Sequence, residues 1–156
     1  MIKVNVVAVG KIKEKYFSEG ILEYSKRLSK FCDFKIIEVA EENYSKAGEG
    51  EILAIKEKEC ERILPHLKGH VIAMAIEGKK LSSEKLAQKI KGFIDLGKEI
   101  TFIIGGSYGL SDKIKEKASE LVSFSDMTFP HAMFRMILVE QIYRAFSIIA
   151  GSPYHK

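Results

Sequence analysis

A glycine-rich turn follows one of the most apolar stretches of the chain. Residues 103–110 read Ile-Ile-Gly-Gly-Ser-Tyr-Gly-Leu, with Gly105, Gly106 and Gly109 in the turn. Glycine at the end of a strand lets the backbone approach a ligand closely or supplies a positive φ. The spacing differs from the dinucleotide fingerprint Gly-x-Gly-x-x-Gly, and no Gly-Lys-Ser/Thr follows as in a P-loop. Taken alone, the turn indicates either a small-molecule contact or a tight strand-to-helix connection.

A second candidate segment covers residues 124–131 and mixes apolar side chains with a few polar ones. Its sequence places these residues next to one another: Phe124, Ser125, Asp126, Met127, Thr128, Phe129, Pro130 and His131. A small-molecule pocket needs this combination of apolar walls and a few hydrogen-bonding groups. The alternative is an N-cap loop, because Pro130 suits the first turn of a helix and Thr128 or Asp126 could accept from free amides. We favour the pocket.

The chain ends in three residues that could take part in chemistry. Tyr154 offers a ring for stacking, His155 a titratable group and Lys156 a cation. Chain termini often fray, but Gly151 and Pro153 indicate that this one leaves its helix in a set direction.

Arg144 is spaced to pair with Glu140 at i,i+4 on the preceding helix. The same guanidinium is also well suited to a phosphate, because its planar fork matches the phosphate oxygens. The pairing and the phosphate contact both remain open at this point.

Apolar runs and amphipathic segments alternate along the chain and predict the elements that carry these groups. Strands are expected at 2–9, 34–39, 70–76 and 100–104, with a weaker one at 121–124. Helical stripes lie between them, a short helix begins at Ser111 and Asp112, and the polar stretch 41–50 is expected to be a surface loop. Continuous Val/Ile strands separated by helices predict a single α/β domain of 1–156, with a mostly parallel sheet flanked by helices. Ligands of such sheets bind beyond the carboxyl ends of the strands.

The helix expected at 132–150 is apolar nearly all round. Glu140, Gln141 and Arg144 share an arc of roughly 100° and Arg135 lies elsewhere, at about 100° per residue. No lysine occurs between Lys117 and Lys156, although lysine is abundant earlier. Such a helix is buried or pairs with a partner, so we predict a homodimer with this helix in the interface. The charged and polar side chains argue against a membrane span.

Composition limits the remaining functions. The chain has 156 residues, 46% hydrophobic and 29% charged, with a formal net charge of +4. This charge permits a nucleic-acid partner without requiring one. Cys32 and Cys60 are far apart and are expected to be small buried thiols, which fits a reducing, cytoplasmic location. No metal-ligand spacing and no signal sequence are present, and a cytoplasmic protein without metal is expected.

Several motifs together resemble the RlmH family of SPOUT methyltransferases, which methylate a pseudouridine in bacterial large-subunit ribosomal RNA. The resemblance runs from residues 4–11 to the terminal Tyr-His-Lys. Its most specific parts are 102–106 (Phe-Ile-Ile-Gly-Gly), 127–131 (Met-Thr-Phe-Pro-His), 140–145 (Glu-Gln-Ile-Tyr-Arg-Ala) and 154–156.

The resemblance implies a C-terminal trefoil knot, a rare exception to the rules of chain topology, and a homodimer that binds S-adenosylmethionine. The implied methyl-donor residues are Ile76, Gly105, Phe124, Ser125, Asp126, Met127, Thr128 and Phe129. The implied RNA-side residues are His131, Arg135, Arg144, Tyr154, His155 and Lys156. The tail of one protomer is expected to complete the site of the other.

The expected reaction is methylation of N3 of a pseudouridine. Most of the catalysis would come from positioning the two reactants. Tyr154 is expected to stack on a base and the arginines to hold phosphates, while His155, or else His131, relays the proton. Because a +4 domain has little grip on naked RNA, the assembled ribosome is the expected substrate. The alternatives are a non-catalytic RNA- or ribosome-binding module with the same fold and, less favoured, a nucleotide or flavin binder.

Overall fold

The computed structural model describes residues 1–42 and 48–156. Its five strands are β1 (Lys3–Val9), β2 (Asp33–Val39), β3 (His70–Lys80), β4 (Ile100–Ile104) and β5 (Glu120–Ser123). Its helices are α1 (Lys15–Leu28), α2 (Glu49–Ile63), α3 (Ser83–Asp95), α4 (Asp112–Lys117) and α5 (His131–Ile149), with a 3₁₀ turn at Leu64–His66. All predicted strands and helices are present, most with ends within a residue or two.

The strands form one parallel sheet in the order β2-β1-β4-β3-β5. The prediction of a single α/β domain with a parallel sheet between helices is confirmed. The knotted threading implied by the resemblance stays a prediction. Within residues 1–42 and 48–156, no helix is long and apolar enough to span a membrane.

Two hydrophobic cores cover the two faces of the sheet. Side chains of a strand alternate between faces, so Val4, Val6 and Ala8 of β1 enter the core shared with α1, α3 and α5. Val7 and Val9 enter the other core, together with residues of α2 and α4. Cys32 and Cys60 lie buried in different cores as free thiols, as the sequence predicts. Burial raises the pKa of Cys32 to about 12.

Strand β3 is longer than predicted. The sequence predicted an end at Ile76, but the strand continues through Gly78 to Lys80. Its pairing with β5 shifts register between Met74 and Lys79. A Cβ on Gly78 would lie 2.6 Å from the backbone nitrogen of Val122. The glycine therefore serves close packing of two strands rather than a turn.

The polar stretch 41–50 was predicted to be one surface loop. Residues 43–47 of that stretch lie outside the described residues. Helix α2 already begins at Glu49, with Gly48 as its N-cap, so the predicted loop was too long at its C-terminal side. Two acidic residues in the first turn, Glu49 and Glu51, favour a helix start there because they face the positive end of the helix dipole.

An ionic cluster ties β3, β5 and α3 together at the amino end of the sheet. Nε2 of His70 lies 2.5 Å from Glu120, and Nζ of Lys89 lies 2.8 Å from the same carboxylate. The His70 ring also packs on Phe93, with 4.1 Å between centroids. Burial alone would raise the pKa of Glu120, but the hydrogen bonds from Lys89 and His70 outweigh it and lower that pKa.

We expect Glu120→Gln to reduce the free energy of unfolding by about 1 kcal/mol at neutral pH, a modest value because the pair is partly solvated. A lowered folded-state pKa stabilises the protein fully above the unfolded carboxyl value of about 4.3. That contribution is lost as the pH falls through the folded value. Urea titrations between pH 3 and 7 should therefore show the gap between wild type and variant closing at the acid end. A gap that is constant with pH would contradict the assignment.

Candidate active site

A cavity of about 690 Å³ lies at the carboxyl ends of β4 and β5, beside the middle of β3. Its walls come from residues 74–77 within β3, residues 104–110 at and after the end of β4, and residues 122–125 and 127–132 at and after the end of β5. The first turn of α5 and the start of α1 close it. Parallel sheets place their ligands at this edge, and the volume is within the range of small-molecule sites.

The glycine turn is folded tightly on itself. The amide of Gly109 donates to the carbonyl of Gly106 over 3.0 Å, and Gly109 has a φ of +84°. A Cβ on Gly105 would lie 2.7 Å from the carbonyl carbon of Gly109 and 2.9 Å from the nitrogen of Leu110. Because backbone atoms cannot move aside as a side chain can, only glycine fits at residue 105 without moving the wall of the cavity.

The predicted methyl-donor residues converge on this cavity with one exception. Its lining includes Ile76, Gly105, Phe124, Ser125, Met127, Thr128 and Phe129. The exception is Asp126, whose carboxylate is ion-paired with Lys80. In this loop the Ser125 hydroxyl accepts from the amide of Met127 over 3.0 Å. The alternative of a capping loop is not what forms: within residues 1–42 and 48–156 no hydrogen bond joins Thr128 or Asp126 to an amide of α5, and the Asp126 carboxylate pairs with Lys80.

An ion pair that sequence analysis missed lies at the wall of the cavity. Nζ of Lys115 is 2.6 Å from Glu77, and this hydrogen bond lowers the pKa of the Glu77 carboxyl. A carboxylate at the end of a strand can accept from sugar hydroxyls. The position of Glu77 directly after Ile76 could have indicated its place in the site. The polar residues that follow Ile76 instead suggested a loop.

The start of α1 also contributes to the cavity. Glu14 and Phe17 line it, although neither was predicted. The general rule for parallel sheets would have found them, since they follow the carboxyl end of β1. His131, predicted for the RNA side, lines the cavity as well.

The C-terminal tail is docked on its own chain. The hydroxyl of Tyr154 donates to Glu140 over 2.9 Å, and its ring packs edge-on against Tyr143. The Arg144 guanidinium lies 4.8 Å from the centre of the Tyr154 ring. Burial, together with hydrogen bonds to Tyr24 and Glu140, raises the pKa of Tyr154. The predicted i,i+4 pair is present, because Arg144 donates to Glu140 over 2.6 and 3.0 Å.

Both ring nitrogens of His155 have partners. Nδ1 lies 3.1 Å from Nη1 of Arg144, and Nε2 lies 2.8 Å from Glu84 at the start of α3. A guanidinium has only donors, so Nδ1 must accept from Arg144 and the Nε2–H must donate to the Glu84 carboxylate. The hydrogen bond from His155 lowers the pKa of Glu84. The two partners hold the ring in one orientation.

The cavity and the docked tail contact different parts of α5. The cavity is lined by residues 131, 132 and 134 at the start of the helix, whereas the tail folds back onto Glu140, Tyr143 and Arg144. Six residues of helix, about 9 Å along the axis, separate Phe134 from Glu140. No residue of the tail lines the cavity of its own chain while it is docked in this way.

Arg135 occupies a position at odds with the predicted RNA contact. Its side chain is only 4% exposed. One nitrogen lies 2.5 Å from Glu38 of β2, and another donates to the carbonyl of Gly10 over 2.9 Å. The guanidinium thus ties α5 to the ends of β1 and β2, a structural role that a sequence-based angle around the helix could not reveal.

We expect Arg135→Met to lower the free energy of unfolding by about 2–4 kcal/mol, because it breaks a buried ion pair and leaves the Gly10 carbonyl without its donor. Denaturant titration would measure the loss. Arg27→Met is the control, since that arginine pairs with Glu23 on the surface and should change stability little. If the Arg135→Met protein were stable but bound ribosomes more weakly, the result would instead support the prediction that Arg135 contacts a phosphate.

Comparison with known proteins agrees with this geometry. Residues 2–155 match a family model described as "Predicted SPOUT methyltransferase". The chain is 50% identical over 157 residues to a protein of Latilactobacillus sakei subsp. sakei (strain 23K) named Ribosomal RNA large subunit methyltransferase H, covering 98% of this chain and 99% of the relative. A protein of the same name from Streptococcus uberis (strain ATCC BAA-854 / 0140J) is 53% identical over 162 residues, with 99% of each chain covered.

Solved structures show the same fold at low sequence identity. A "probable methylase family protein" from Haemophilus influenzae Rd KW20 aligns with a TM-score of 0.57 at 13% identity, over 100% of this chain and 72% of that one. An AdoMet-bound rRNA methyltransferase from Sinorhizobium meliloti aligns with a TM-score of 0.50 at 13% identity, over 91% of this chain and 56% of that one.

Proposed function

The chain belongs to the SPOUT methyltransferase family, and from that premise we propose that it transfers the methyl group of S-adenosylmethionine to N3 of a pseudouridine in large-subunit ribosomal RNA. The observation that carries the proposal is the cavity at the carboxyl ends of β4 and β5, walled by the glycine turn and the loop after β5. The names of the relatives at about 50% identity support the choice of RNA. The C-terminal third is proposed to thread as a trefoil knot, as the resemblance implies.

The residues present fit the methyl donor. The cavity offers apolar walls from Phe124, Met127 and Phe129, backbone groups exposed by Gly105, and the Glu77 carboxylate for hydroxyl groups. When bound, S-adenosylmethionine supplies an electrophilic methyl group on a sulfonium. The protein then needs mainly to orient the two reactants and exclude water.

Acceptance of the N3 proton is assigned to a histidine. His155 is our first choice, since it lies beside the Tyr154 ring that would stack on a base. In the docked tail the Nδ1 lone pair of His155 faces Arg144, so a phosphate that draws Arg144 away would free that nitrogen. His131, which lines the cavity, is the alternative base.

A homodimer would bring the tail and the cavity together. In α5, Met133, Ile137, Arg144 and Ile148 are only partly buried and fall within one arc of roughly 60°. A two-fold axis across this stripe would pair the helices in antiparallel fashion. The tail of one protomer would then lie beside the cavity of the other, which would bring together two parts that do not meet within one chain. A fully active monomer in solution would refute this arrangement.

The substrate is proposed to be the assembled ribosome in the cytoplasm. A net charge of +4 without a basic arm gives little electrostatic attraction to naked RNA. A preformed surface of matching shape would supply the remaining affinity. Equal activity on protein-free ribosomal RNA would contradict this part of the proposal.

Transfer of labelled methyl to bacterial ribosomal particles tests the function. Joined ribosomes, free large subunits and protein-free RNA would be compared, and the labelled nucleotide would be identified by digestion. We expect the label in large-subunit RNA, with joined ribosomes the best substrate. Calorimetry with S-adenosylhomocysteine provides a separate check, because a non-catalytic RNA-binding module with this fold would neither bind it nor transfer the label.

A further inference from the structure

We propose that residues 10–17, here called the β1–α1 segment, form an RNA-binding surface that holds the strand next to the target nucleotide. The inference rests on the proposed function, since it assigns a surface to the RNA substrate of that site. The segment reads Gly-Lys-Ile-Lys-Glu-Lys-Tyr-Phe and connects the carboxyl end of β1 to the first turn of α1. It brings three lysines and two aromatic rings into eight residues.

The segment lies at the mouth of the cavity. Glu14 and Phe17 line the large cavity. Lys11 and Ile12 line a second, smaller cavity of about 410 Å³ on the other side. The β1–α1 segment therefore forms a ridge, meaning the raised surface between the two cavities, and one of these cavities is the proposed methyl-donor site. A nucleotide that enters the large cavity must bring its neighbours along the backbone close to this ridge.

The lysines of the β1–α1 segment combine weak pairing with a position beside the cavity. Among residues 1–42 and 48–156, Lys11 and Lys13 have no ion-pair partner, and Lys15 approaches Glu19 only at 3.8 Å with 87% of its side chain exposed. Within the same residues, lysines such as Lys30, Lys68 and Lys98 are also without an ion pair, but they lie at the opposite edge of the sheet. Lys115, which lines the cavity, is instead held by Glu77. Unpaired ammonium groups beside a cavity are available to phosphates, and each phosphate neutralised releases counterions.

The exposed aromatic ring gives the surface a second property of single-strand binding sites. Tyr16 is 68% exposed, and its ring packs edge-on against Phe17, with 4.6 Å between centroids. Phe17 in turn lines the cavity. A positively charged ridge with a base-stacking ring matches how proteins bind single-stranded nucleic acid. The low net charge of the whole chain makes such local concentration of charge necessary.

Two triple variants of identical charge test the surface. The first is Lys11→Gln, Lys13→Gln and Lys15→Gln. The matched control is Lys30→Gln, Lys68→Gln and Lys98→Gln, whose exposed lysines lie in the loops before β2, β3 and β4 at the opposite edge of the sheet. Any effect of net charge alone is the same in both variants, so only the location differs.

We expect the first variant to raise KM for ribosomes at least about tenfold, with kcat at saturation and S-adenosylhomocysteine affinity within about twofold of wild type. For this variant, the slope of the logarithm of ribosome affinity against the logarithm of salt concentration should decrease in magnitude by about 2. This is the change expected for three lost contacts to single-stranded phosphates. The control should match wild type. Tyr16→Ala should weaken ribosome binding at least about fivefold and Tyr16→Phe should not, because stacking needs only the ring.

Equal effects of the two triple variants, or an unchanged KM and salt slope in the first, would overturn the inference. Sedimentation binding to ribosomal particles would be measured alongside turnover. If the wild type binds particles but transfers no methyl, the proposed function fails, while the comparison of the two variants still decides the RNA-binding surface. An increased KM with an unchanged salt slope would identify a protein contact on the ribosome rather than RNA, and would also overturn it.

Discussion

Removal of Tyr154, His155 and Lys156 is expected to lower methyl transfer to ribosomes by about 10³-fold, the typical effect of losing a positioned proton acceptor. The truncation also removes the ring that packs over Arg144 at 4.8 Å. The affinity for S-adenosylhomocysteine should remain nearly that of wild type, because the tail contacts Glu140 and does not line the cavity of its own chain, and its proposed role is toward the RNA. Single-turnover transfer of labelled methyl and calorimetry measure the two quantities.

Two narrower variants separate chemistry from folding. His155→Asn keeps the contacts of Tyr154 with Glu140 and Tyr143 but removes the imidazole, so it should lose most of the activity and keep its thermal stability. Removal of Lys156 alone should cost far less. Unchanged turnover of the truncated protein would reject the composite site. An equal loss of turnover and of S-adenosylhomocysteine affinity would mean that the tail acts on methyl-donor binding and not on the RNA side.

The strands predicted most accurately are those whose burial can be recognised from their own residues alone. Strand β4 has the bounds predicted, and β1 differs by one residue, because both are short runs rich in Val and Ile and are buried on both faces of a parallel sheet. The far end of β3 was missed for the opposite reason. Residues 77–80 read Glu-Gly-Lys-Lys and are strand only because β5 passes close to Gly78.

The contacts of the C-terminal tail show which interactions can be predicted from residue spacing along a helix and which cannot. The pair between Glu140 and Arg144 follows from a separation of four on a helix and is present. The contact between His155 and Glu84 joins residues 71 apart, and nothing in either segment indicates the other. The proton on Nε2 of His155, and with it the chemistry available to the ring, depends on that long-range contact.

Arg135 shows that the role of a charged residue on a helix could not be predicted from the sequence of that helix alone. Both arginines of α5 looked suitable for phosphates, since the helix contains no lysine. The structure separates them: Arg144 lies beside the tail, whereas Arg135 is buried against the carbonyl of Gly10 and the Glu38 carboxylate. Which arginine faces solvent was set by the ends of β1 and β2, and a helical wheel carries no information about those strands.

The second large effect is expected from Gly105→Ala. The new methyl group would lie 2.7 Å from the carbonyl carbon of Gly109, so the glycine turn must shift and the wall of the cavity must move with it. We expect the affinity for S-adenosylhomocysteine to fall at least about 100-fold, because misplacing a binding wall by about 1 Å has effects of that size. Gly92→Ala is the control, since a Cβ there meets nothing within 4 Å and alanine favours the helix. Calorimetry and denaturant titration distinguish a damaged site from a damaged fold.

Mixing the two defective chains tests whether the site is shared between protomers. One chain would carry Gly105→Ala with an intact tail, and the other an intact cavity without residues 154–156. In a composite site, the heterodimer combines the intact cavity of the second chain with the intact tail of the first, so co-expression should restore about half of the wild-type activity per dimer. In a site built within one chain, neither protomer has both parts and no activity returns. Because no residue of the docked tail lines the cavity of its own chain, we expect restoration.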